Sequence, residues 1–304
     1  MARQAPTKPV LYRLEAILAY GLFGLFRLLP IDWVSCFGGK IAGWFGPMSR
    51  AHRTARRNLA RALPELPEIE YQAILADVWN NFGRVMAEYA TLSRLGTAAE
   101  SDRVEVIGLE HIATLAESGR PTLMFAGHIA NWEVAAVAHR VRAGVAATPA
   151  LVYRKPNNPL IENLLQRARG HAASTLIPKG AGGARTIMRI LKAGGFVQMA
   201  VDQKMNTGLA IPFFGRDAMT GDAIARLALR YNCAILPVNC ERLDGCRFRV
   251  TFEEPWYPED TGDQGKDVRA TLFKINQAIE EWVRRKPGQW LWLHNRWPRE
   301  ENNE

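Results

Sequence analysis

A histidine and a carboxylate five residues apart are the side chains of this 304-residue chain best suited to chemistry. They are His128 and Glu133, within the heptapeptide GHIANWE at residues 127–133. An imidazole can take a proton from a hydroxyl group, and a carboxylate can orient the imidazole and stabilise its cation. Residues five apart on a straight helix point about 140° apart. The pair can therefore meet only if His128 lies in a loop and Glu133 in the first turn of a helix, with Asn131 as its N-cap.

The flanking sequence predicts the elements that would position these residues. The apolar run 121–126 predicts a buried strand that ends just before Gly127, and residues 134–138 predict a helix. Functional sites in α/β proteins form at the ends of strands. The same spacing also fits a capped helix with a buried histidine and an exposed glutamate, and spacing alone does not decide between the two interpretations.

Composition limits the class of protein and its partners. A 48% hydrophobic and 23% charged chain of this length can form one large domain or two small ones. The net charge of +9 indicates an anionic partner: nucleic acid, anionic lipid, a phosphorylated substrate or an acidic protein. The chain has no recognised nucleic-acid motif and its aromatic residues lie in apolar stretches, which argues against nucleic acid. Its four cysteines form no C-x-x-C pair, so we expect reduced thiols and no metal site.

The N-terminal segment is rich in Leu, Phe, Trp and Gly over residues 10–48. Its uncharged run, Ala16 to Phe26, is shorter than the roughly 20 residues that a membrane span needs. We expect a helix seated on a membrane, with a tilted span and an amphipathic core helix as alternatives. Four arginines then follow at helical spacing, which favours a face for anionic headgroups or a solvated basic face. They are Arg50, Arg53, Arg57 and Arg61.

From residue 103 onward, short apolar runs alternate with helical patterns, which predicts an α/β sheet with helices on both faces. Residues 65–95 predict a helical stretch, on which we expect Glu88 to be solvated. The predicted strands are Val104–Ile107, Thr122–Ala126, Ala147–Tyr153, Thr175–Pro178, Phe196–Asp202, Ala234–Cys240 and Phe248–Phe252. The predicted helices are Leu109–Glu117, Trp132–Val141, Pro159–Arg169, Ala184–Lys192, Asp222–Tyr231 and Asp267–Arg285.

Three charged residues follow or end these elements. Arg154 comes after a strand, Arg169 closes a helix, and Asp202 ends a strand, so Asp202 can reach the same sheet edge as His128. A guanidinium group here could bind a phosphate or stabilise an oxyanion. The alternative for Arg169 is an ordinary cation at a helix C-terminus. The glycine-rich segment 179–185 lacks the ending of a Walker loop, so we interpret it as an ordinary loop before a helix.

The string strand-G-H-x-x-N-W-E resembles the late acyltransferases of lipid A biosynthesis, a branch of the H-x4-[D/E] glycerolipid acyltransferases. Further similar motifs occur in the same order between about residues 10 and 297, and together they make the functional interpretation of His128 and Glu133 the stronger one. These motifs are Ala55–Leu59, Val152–Arg154 with Asn158–Ile161, the Arg167 and Arg169 pair, Val201–Gln203, Ile211–Gly215 and Pro287–His294.

The resemblance implies a central mixed sheet flanked by helices, with an N-terminal membrane-anchoring helix. It divides the chain into a membrane-associated segment, 1–48, and an acyltransferase domain, 49–304. His128 and Glu133 become the catalytic dyad, and the segment 207–214 becomes the family's loop beside the acyl groove, although a hydrophobic core hairpin also fits it. The candidates for substrate or oxyanion binding are Arg169, Asp202, Asn131 and Arg154.

The implied reaction is transfer of a fatty acyl chain from a thioester of acyl carrier protein, or of coenzyme A, to a hydroxyl of a lipid A precursor. A thioester is already activated, so no metal, cofactor or acyl-enzyme is expected. The expected partners are acyl carrier protein, the lipid A precursor and membrane lipids, on the cytoplasmic face of the inner membrane. The alternatives are acylation of a lysophospholipid or other glycerolipid, a non-catalytic membrane-binding protein, and a hydrolase. The hydrolase is disfavoured because a G-x-S-x-G motif is missing.

Overall fold

A mixed seven-stranded sheet with helices packed around it forms the body of the protein. The computed structural model describes residues 9–95, 97–143, 148–169 and 175–298. This architecture confirms the predicted α/β class. The helices α1 to α11 are Pro9–Arg27, Ile31–Phe45, Arg50–Ala62, Glu68–Glu88, Leu92–Leu95, Leu109–Ser118, Glu133–Ala143, Pro159–Arg169, Ala181–Lys192, Ala223–Tyr231 and Gln264–Arg285. The strands β1 to β9 are Val104–Ile107, Thr122–Ala126, Ala150–Tyr153, Thr175–Pro178, Phe196–Ala200, Leu209–Phe213, Arg216–Thr220, Ala234–Arg242 and Phe248–Phe252.

The strand order in the sheet is β1-β9-β8-β2-β5-β3-β4. Neighbouring strands are parallel except for β8 and β9, which are antiparallel. β2 lies near the middle and is buried along its whole length, as expected of a strand covered on both faces. It pairs with β5 in a register that ends with Ala126 opposite Ala200. The segments that follow these two strands therefore leave the same edge of the sheet at the same level.

The strands predicted from apolar runs in the sequence agree well with the observed ones. β1, β2, β4 and β9 have the predicted bounds, while β5 ends two residues early and β8 continues to Arg242. β3 begins at Ala150, and its predicted start at Ala147 lies outside the described residues. The segment 207–214 supplies β6 of the antiparallel hairpin β6–β7, which is the core hairpin that the sequence left open. Phe213 at its tip is buried and stacks on Trp297.

The glycine-rich segment 179–185 is not the loop that its composition suggested. α9 begins at Ala181, so the two following glycines lie inside its first turn. A Cβ atom on Gly183 would lie 2.1 Å from the carbonyl oxygen of Pro178. Glycine here permits close approach of the helix to the end of β4.

The N-terminal segment forms two helices. Among the described residues, α1 is the one helix long and apolar enough to cross a membrane, by length and composition. α2 crosses α4 closely, because Gly38 and Gly83 meet there: a Cβ on Gly38 would lie 2.4 Å from the carbonyl oxygen of Gly83. The opposite side of α2 exposes Trp33, Phe37 and Trp44. The division of the chain at residue 48 remains a prediction.

The four arginines of α3 do not form a single lipid-facing or solvated face. Arg50 and Arg53 are exposed. Arg57 donates a hydrogen bond to the side-chain oxygen of Asn295, and Arg61 donates one to the carbonyl oxygen of Pro298. Half of the predicted basic face therefore holds the C-terminal segment against α3.

Candidate active site

His128 forms a close pair with Asp202. The distance from His128 Nδ1 to Asp202 Oδ1 is 2.6 Å, and the backbone N–H of His128 donates to Asp202 Oδ2 at 2.7 Å. A carboxylate that faces Nδ1 accepts its proton, which leaves Nε2 as the unprotonated, basic nitrogen. The side-chain amide nitrogen of Gln203 lies 3.4 Å from that Nε2. The imidazole is therefore held in one orientation with its basic nitrogen near Gln203.

The sheet register brings these two residues together. Ala126 ends β2 and Ala200 ends β5, and the two are directly paired. His128 and Asp202 each follow by two residues, so parallel strands deliver both side chains to the same point. The expectation that Asp202 would reach the sheet edge of His128 is confirmed.

Asp202 is buried but kept ionised by its surroundings. Burial alone would raise the pKa of its carboxyl, but the His128 imidazole and hydrogen bonds from His128 and Trp290 outweigh burial and hold that pKa below its ordinary value. The Trp290 indole N–H donates to Oδ2 at 2.7 Å. Arg296 is a buried cation that feels the charge of Asp202: burial lowers its pKa to about 10, and the Asp202 charge acts in the opposite direction.

Glu133 is bonded to Arg169 and Tyr89 rather than to His128. Arg169 donates from Nε to Glu133 Oε2 at 2.8 Å and from Nη2 to Oε1 at 2.5 Å, and the Tyr89 hydroxyl donates to Oε1 at 2.6 Å. Among the hydrogen bonds of the described residues, none joins His128 to Glu133. The predicted direct dyad is therefore replaced by two pairs, because Asp202 reaches Nδ1 from the adjacent strand.

Burial and charge reinforce the Glu133–Arg169–Tyr89 group. Burial alone would lower the pKa of Arg169, but the charge of Glu133 and its hydrogen bonds raise that pKa above the ordinary value. Burial, followed by the charge of Glu133, raises the pKa of Tyr89. The guanidinium thus stays a cation and the phenol stays protonated, so both are hydrogen-bond donors facing the same space.

Asn131 lies behind this group. Its side-chain oxygen accepts from the backbone N–H of Glu133 at 3.2 Å, as predicted for a helix cap. Its amide nitrogen donates to Glu88 Oε2 at 2.8 Å. Glu88 is wholly buried, so the expectation that it is solvated was wrong. The reason is Arg242, which lies 154 residues away in sequence and forms an ion pair with Glu88.

A cavity of about 610 Å³ opens over these residues. His128, Glu133 and Arg169 line it, as does Arg154, whose side chain is exposed and donates to Asn157. Asn131 is absent from its lining, so the structure places this candidate one layer behind the substrate space. Arg167, beside Arg169, is exposed. The cavity also contains two lysines, Lys179 and Lys204.

A second cavity, of about 370 Å³, adjoins the first and is almost entirely apolar. The two share Val152, Ala200 and Gln203 in their walls, together with both lysines. Most of its remaining lining comes from β5, α9 and α10 and includes Ile187, Met188, Met199, Ile224 and Leu227. The site thus joins a polar, cationic space to an apolar one.

Several site residues were not singled out from the sequence. The sequence places Tyr89 only on a helix, and it shows Gln203 and Trp290 only as parts of motifs. His294, which lines the cavity, has a pKa lowered by burial and then by the nearby His128. No sequence signal paired Trp290 with Asp202, because the two residues are 88 positions apart and only the fold brings the indole N–H to the carboxylate. Within the described residues, no group of three or more His, Cys, Asp or Glu is placed to hold a metal ion.

Comparison with known proteins shows the family to which the chain belongs. The family model for bacterial lipid A biosynthesis acyltransferases matches residues 6–299. The chain is 26% identical to a lipid A biosynthesis palmitoleoyltransferase of Escherichia coli over 284 residues, covering 91% of this chain and 88% of that protein. It is 25% identical to the lauroyltransferase of the same organism over 286 residues, covering 92% and 90%. A phosphatidylinositol mannoside acyltransferase of Mycolicibacterium smegmatis is 25% identical over 251 residues, covering 80% and 78%. The chain belongs to the bacterial lipid A biosynthesis acyltransferase family, and its activity is acyl transfer in lipid A synthesis.

Proposed function

We propose that this acyltransferase moves a fatty acyl chain from a carrier thioester to a hydroxyl of a lipid A precursor, with His128 as general base. The observation that carries the proposal is the His128–Asp202 pair in a cavity that also contains Arg169 and adjoins an apolar cavity. A base held in one tautomer by a buried carboxylate is suited to take a proton from an attacking hydroxyl.

The acyl transfer requires neither a metal nor a covalent acyl-enzyme intermediate. The acceptor oxygen attacks the thioester carbonyl carbon as His128 Nε2 takes the hydroxyl proton. The carbonyl oxygen becomes an oxyanion, which collapses with cleavage of the carbon–sulfur bond. The leaving thiolate then takes this proton from His128. The products are an ester and a free thiol.

Arg169 is our candidate for the oxyanion donor. Glu133 holds its Nε and Nη2, and the Arg169 guanidinium lies 5.6 Å from the ring centres of Tyr89 and Tyr153. A preorganised cation near a developing negative charge lowers the barrier because no reorganisation is needed during reaction. Glu133 thus acts by aiming Arg169, whereas Asp202 orients His128.

The two cavities suggest how the donor is seated. The acyl chain occupies the apolar cavity, which places the thioester carbonyl at the junction with the polar one. Lys179 and Lys204 stand at that junction, and Arg154 lines the polar side. These cations suit an acidic carrier protein, the phosphate of its prosthetic group, or a phosphorylated glycolipid. Acyl carrier protein is our first choice of carrier, and coenzyme A the second.

We place the enzyme on the cytoplasmic face of the inner membrane. The apolar helix α1 and the exposed apolar side of α2 support seating in a bilayer. On that face the site would be accessible to acyl thioesters in the cytoplasm.

The test uses purified protein, a phosphorylated and incompletely acylated lipid A precursor, and thioesters of several chain lengths on acyl carrier protein and on coenzyme A. We expect the product mass to rise by one acyl chain. His128→Ala should abolish the gain, while the control His111→Ala, a histidine of α6 outside the cavity, should keep it.

Other outcomes assign a different function. Transfer to a lysophospholipid but not to the lipid A precursor would make the protein a glycerolipid acyltransferase. Undiminished transfer by folded His128→Ala would overturn the general-base role. No transfer to either acceptor would favour a non-catalytic membrane protein.

A further inference from the structure

A buried ion pair outside the substrate cavity joins α4 to the end of β8. Arg242 donates from Nη1 to Glu88 Oε1 at 2.6 Å and from Nη2 to Oε2 at 2.9 Å. Glu88 is 0% exposed and Arg242 is 8% exposed. Burial alone would raise the pKa of Glu88, but Arg242 and hydrogen bonds from Ser35 and Asn131 hold that pKa below its ordinary value. The pair is therefore ionised.

The loop that carries His128 is fixed to this pair. Asn131 donates to Glu88 and caps the N–H of Glu133, so one amide side chain connects the ion pair to the first turn of α7. Ala130, beside it, has a φ of +49°, a conformation that non-glycine residues adopt only when their surroundings enforce it.

A second set of bonds enforces the Ala130 conformation and leads back to the same arginine. The Ala130 N–H donates to the carbonyl oxygen of Gln289, and the Ala130 carbonyl accepts from Asn81. The side-chain oxygen of Asn81 accepts from Arg242 Nε, and the side chain of Gln289 bonds to both backbone polar groups of Arg242. Two independent routes thus connect Arg242 to adjacent residues of the catalytic loop.

We propose that Glu88 and Arg242 are positioning residues, which act through Asn131 and Ala130 to hold the His128 loop and the first turn of α7 in the reactive arrangement. Neither Glu88, Arg242, Asn131 nor Asn81 lines the substrate cavity, so the group acts without touching substrate. Only one part of this proposal, the expected change in kcat, rests on the proposed function.

A purely structural role makes a different prediction. Replacing both members of a buried ion pair with apolar side chains of similar size often leaves stability unchanged or higher. The double variant Glu88→Met/Arg242→Met therefore separates the two roles. It leaves no buried charge unpaired, but it removes the acceptor of Asn131 and the donor to Asn81.

The experiment compares the whole protein in detergent as wild type, Glu88→Met/Arg242→Met and Asn131→Ala. The core variant Leu272→Ala, on α11 and wholly buried, is the control for a general loss of stability. For each we would measure the melting temperature, kcat and KM for the acyl thioester, and amide hydrogen exchange of the 127–134 peptide.

We expect the double variant to melt near the wild-type temperature while kcat falls about tenfold to a hundredfold, as misplacement of catalytic groups by about 1 Å can cause. KM should change by less than about twofold. Neither substituted residue lines the substrate cavity, so the contacts that bind the substrate equally in its ground and transition states are kept. Exchange at 127–134 should be faster in the double variant and in Asn131→Ala, and unchanged in Leu272→Ala.

The outcomes separate this proposal from the proposed function. If wild type transfers no acyl chain, the proposed function fails, but hydrogen exchange needs no substrate and still decides the positioning role. The proposal is overturned if the folded double variant keeps the wild-type rate of amide hydrogen exchange at 127–134, or keeps the wild-type kcat. If the double variant fails to fold, Asn131→Ala decides by the same two readouts.

Discussion

Two carboxylates stand near His128 in sequence or space, and they have different tasks. Asp202 bonds to the imidazole, and Glu133 bonds to Arg169. The spacing and the family resemblance together pointed to the carboxylate five residues away, because sequence shows local neighbours and not strand register. Had the pairing of β2 with β5 been known, Asp202 would have been the predicted partner.

A double-mutant cycle tests this assignment. Residues that act as one unit lose activity non-additively. We expect Asp202→Asn alone to lower kcat by about a hundredfold or more, within the range of general-base catalysis. Added to His128→Ala, it should cost little further activity, whereas Glu133→Gln added to His128→Ala should reduce the residual rate again through Arg169. The reverse pattern would restore Glu133 as the partner of His128.

Stability should depend on pH through two buried carboxylates. The pKa values of Glu88 and Asp202 are lowered from 4.5 and 3.8, so the unfolded chain binds more protons than the folded one as pH falls through this range. Their contribution is complete above about pH 5 and is lost as pH falls through the folded-state pKa values.

Between about pH 7 and pH 5 we expect the urea midpoint to fall slightly, because the lowered pKa of His294 lets the unfolded imidazole bind a proton first. Below about pH 5 the two carboxylates should make the midpoint fall more steeply. At neutral pH the free energy of unfolding of Glu88→Gln should be about 3–5 kcal/mol lower than that of wild type, because Arg242 is left buried without its partner. As pH falls below about 5, this free energy should decline less steeply than that of wild type. A decline as steep as that of wild type would contradict the assignment of a lowered pKa to Glu88.

At the scale of elements, apolar periodicity predicted most strands but not the partners of polar residues. Four strands were placed correctly because their apolar runs are short and bounded by turns. Glu88 was misjudged because a charged residue on a helix is usually solvated, and only the fold brings Arg242 beside it. Arg57 was misjudged for the same reason, since Asn295 lies 238 residues away.

The wall formed by β5, α9 and α10 should set the preferred acyl length. Met188 on α9 lines the apolar cavity, so a larger side chain there shortens the available space and a smaller one extends it. We expect Met188→Trp to shift preference to shorter chains and Met188→Ala to longer ones, as read from product masses with mixed thioesters. Shifts in the same direction, or none, would place the acyl chain elsewhere.

At the scale of the whole molecule, exposed aromatic residues support the proposed seating on a bilayer. Trp33 and Trp44 lie on the outer side of α2 with exposed fractions of 70% and 72%. Tryptophan favours the boundary between headgroups and acyl chains. Trp282, Trp290, Trp292 and Trp297 are buried in the body of the protein.

Quenching by brominated lipids measures which tryptophans touch the bilayer. We expect the quenchable share of emission in proteoliposomes to fall in Trp33→Phe/Trp44→Phe. The control Trp256→Phe, which removes a half-buried tryptophan packed beside Lys274, should not lower the share and should raise it slightly, because it removes only emission that the lipid does not quench. Equal quenching in wild type and the double variant would mean that α2 does not lie on the membrane.

The order of synthesis gives the Glu88–Arg242 pair a further consequence. Helices α1 and α2 emerge from the ribosome first and can meet the bilayer while most of the sheet is unmade. Arg242 follows Glu88 by 154 residues, a delay of about 8–30 s at typical elongation rates. During that interval Glu88 lacks Arg242, so the contacts of the ion pair that hold Asn131 and Ala130 are incomplete. The nascent chain can therefore reach a bilayer before it is able to react, and the reactive arrangement forms only after β8 and the later residues Gln289 and Trp290 have been made.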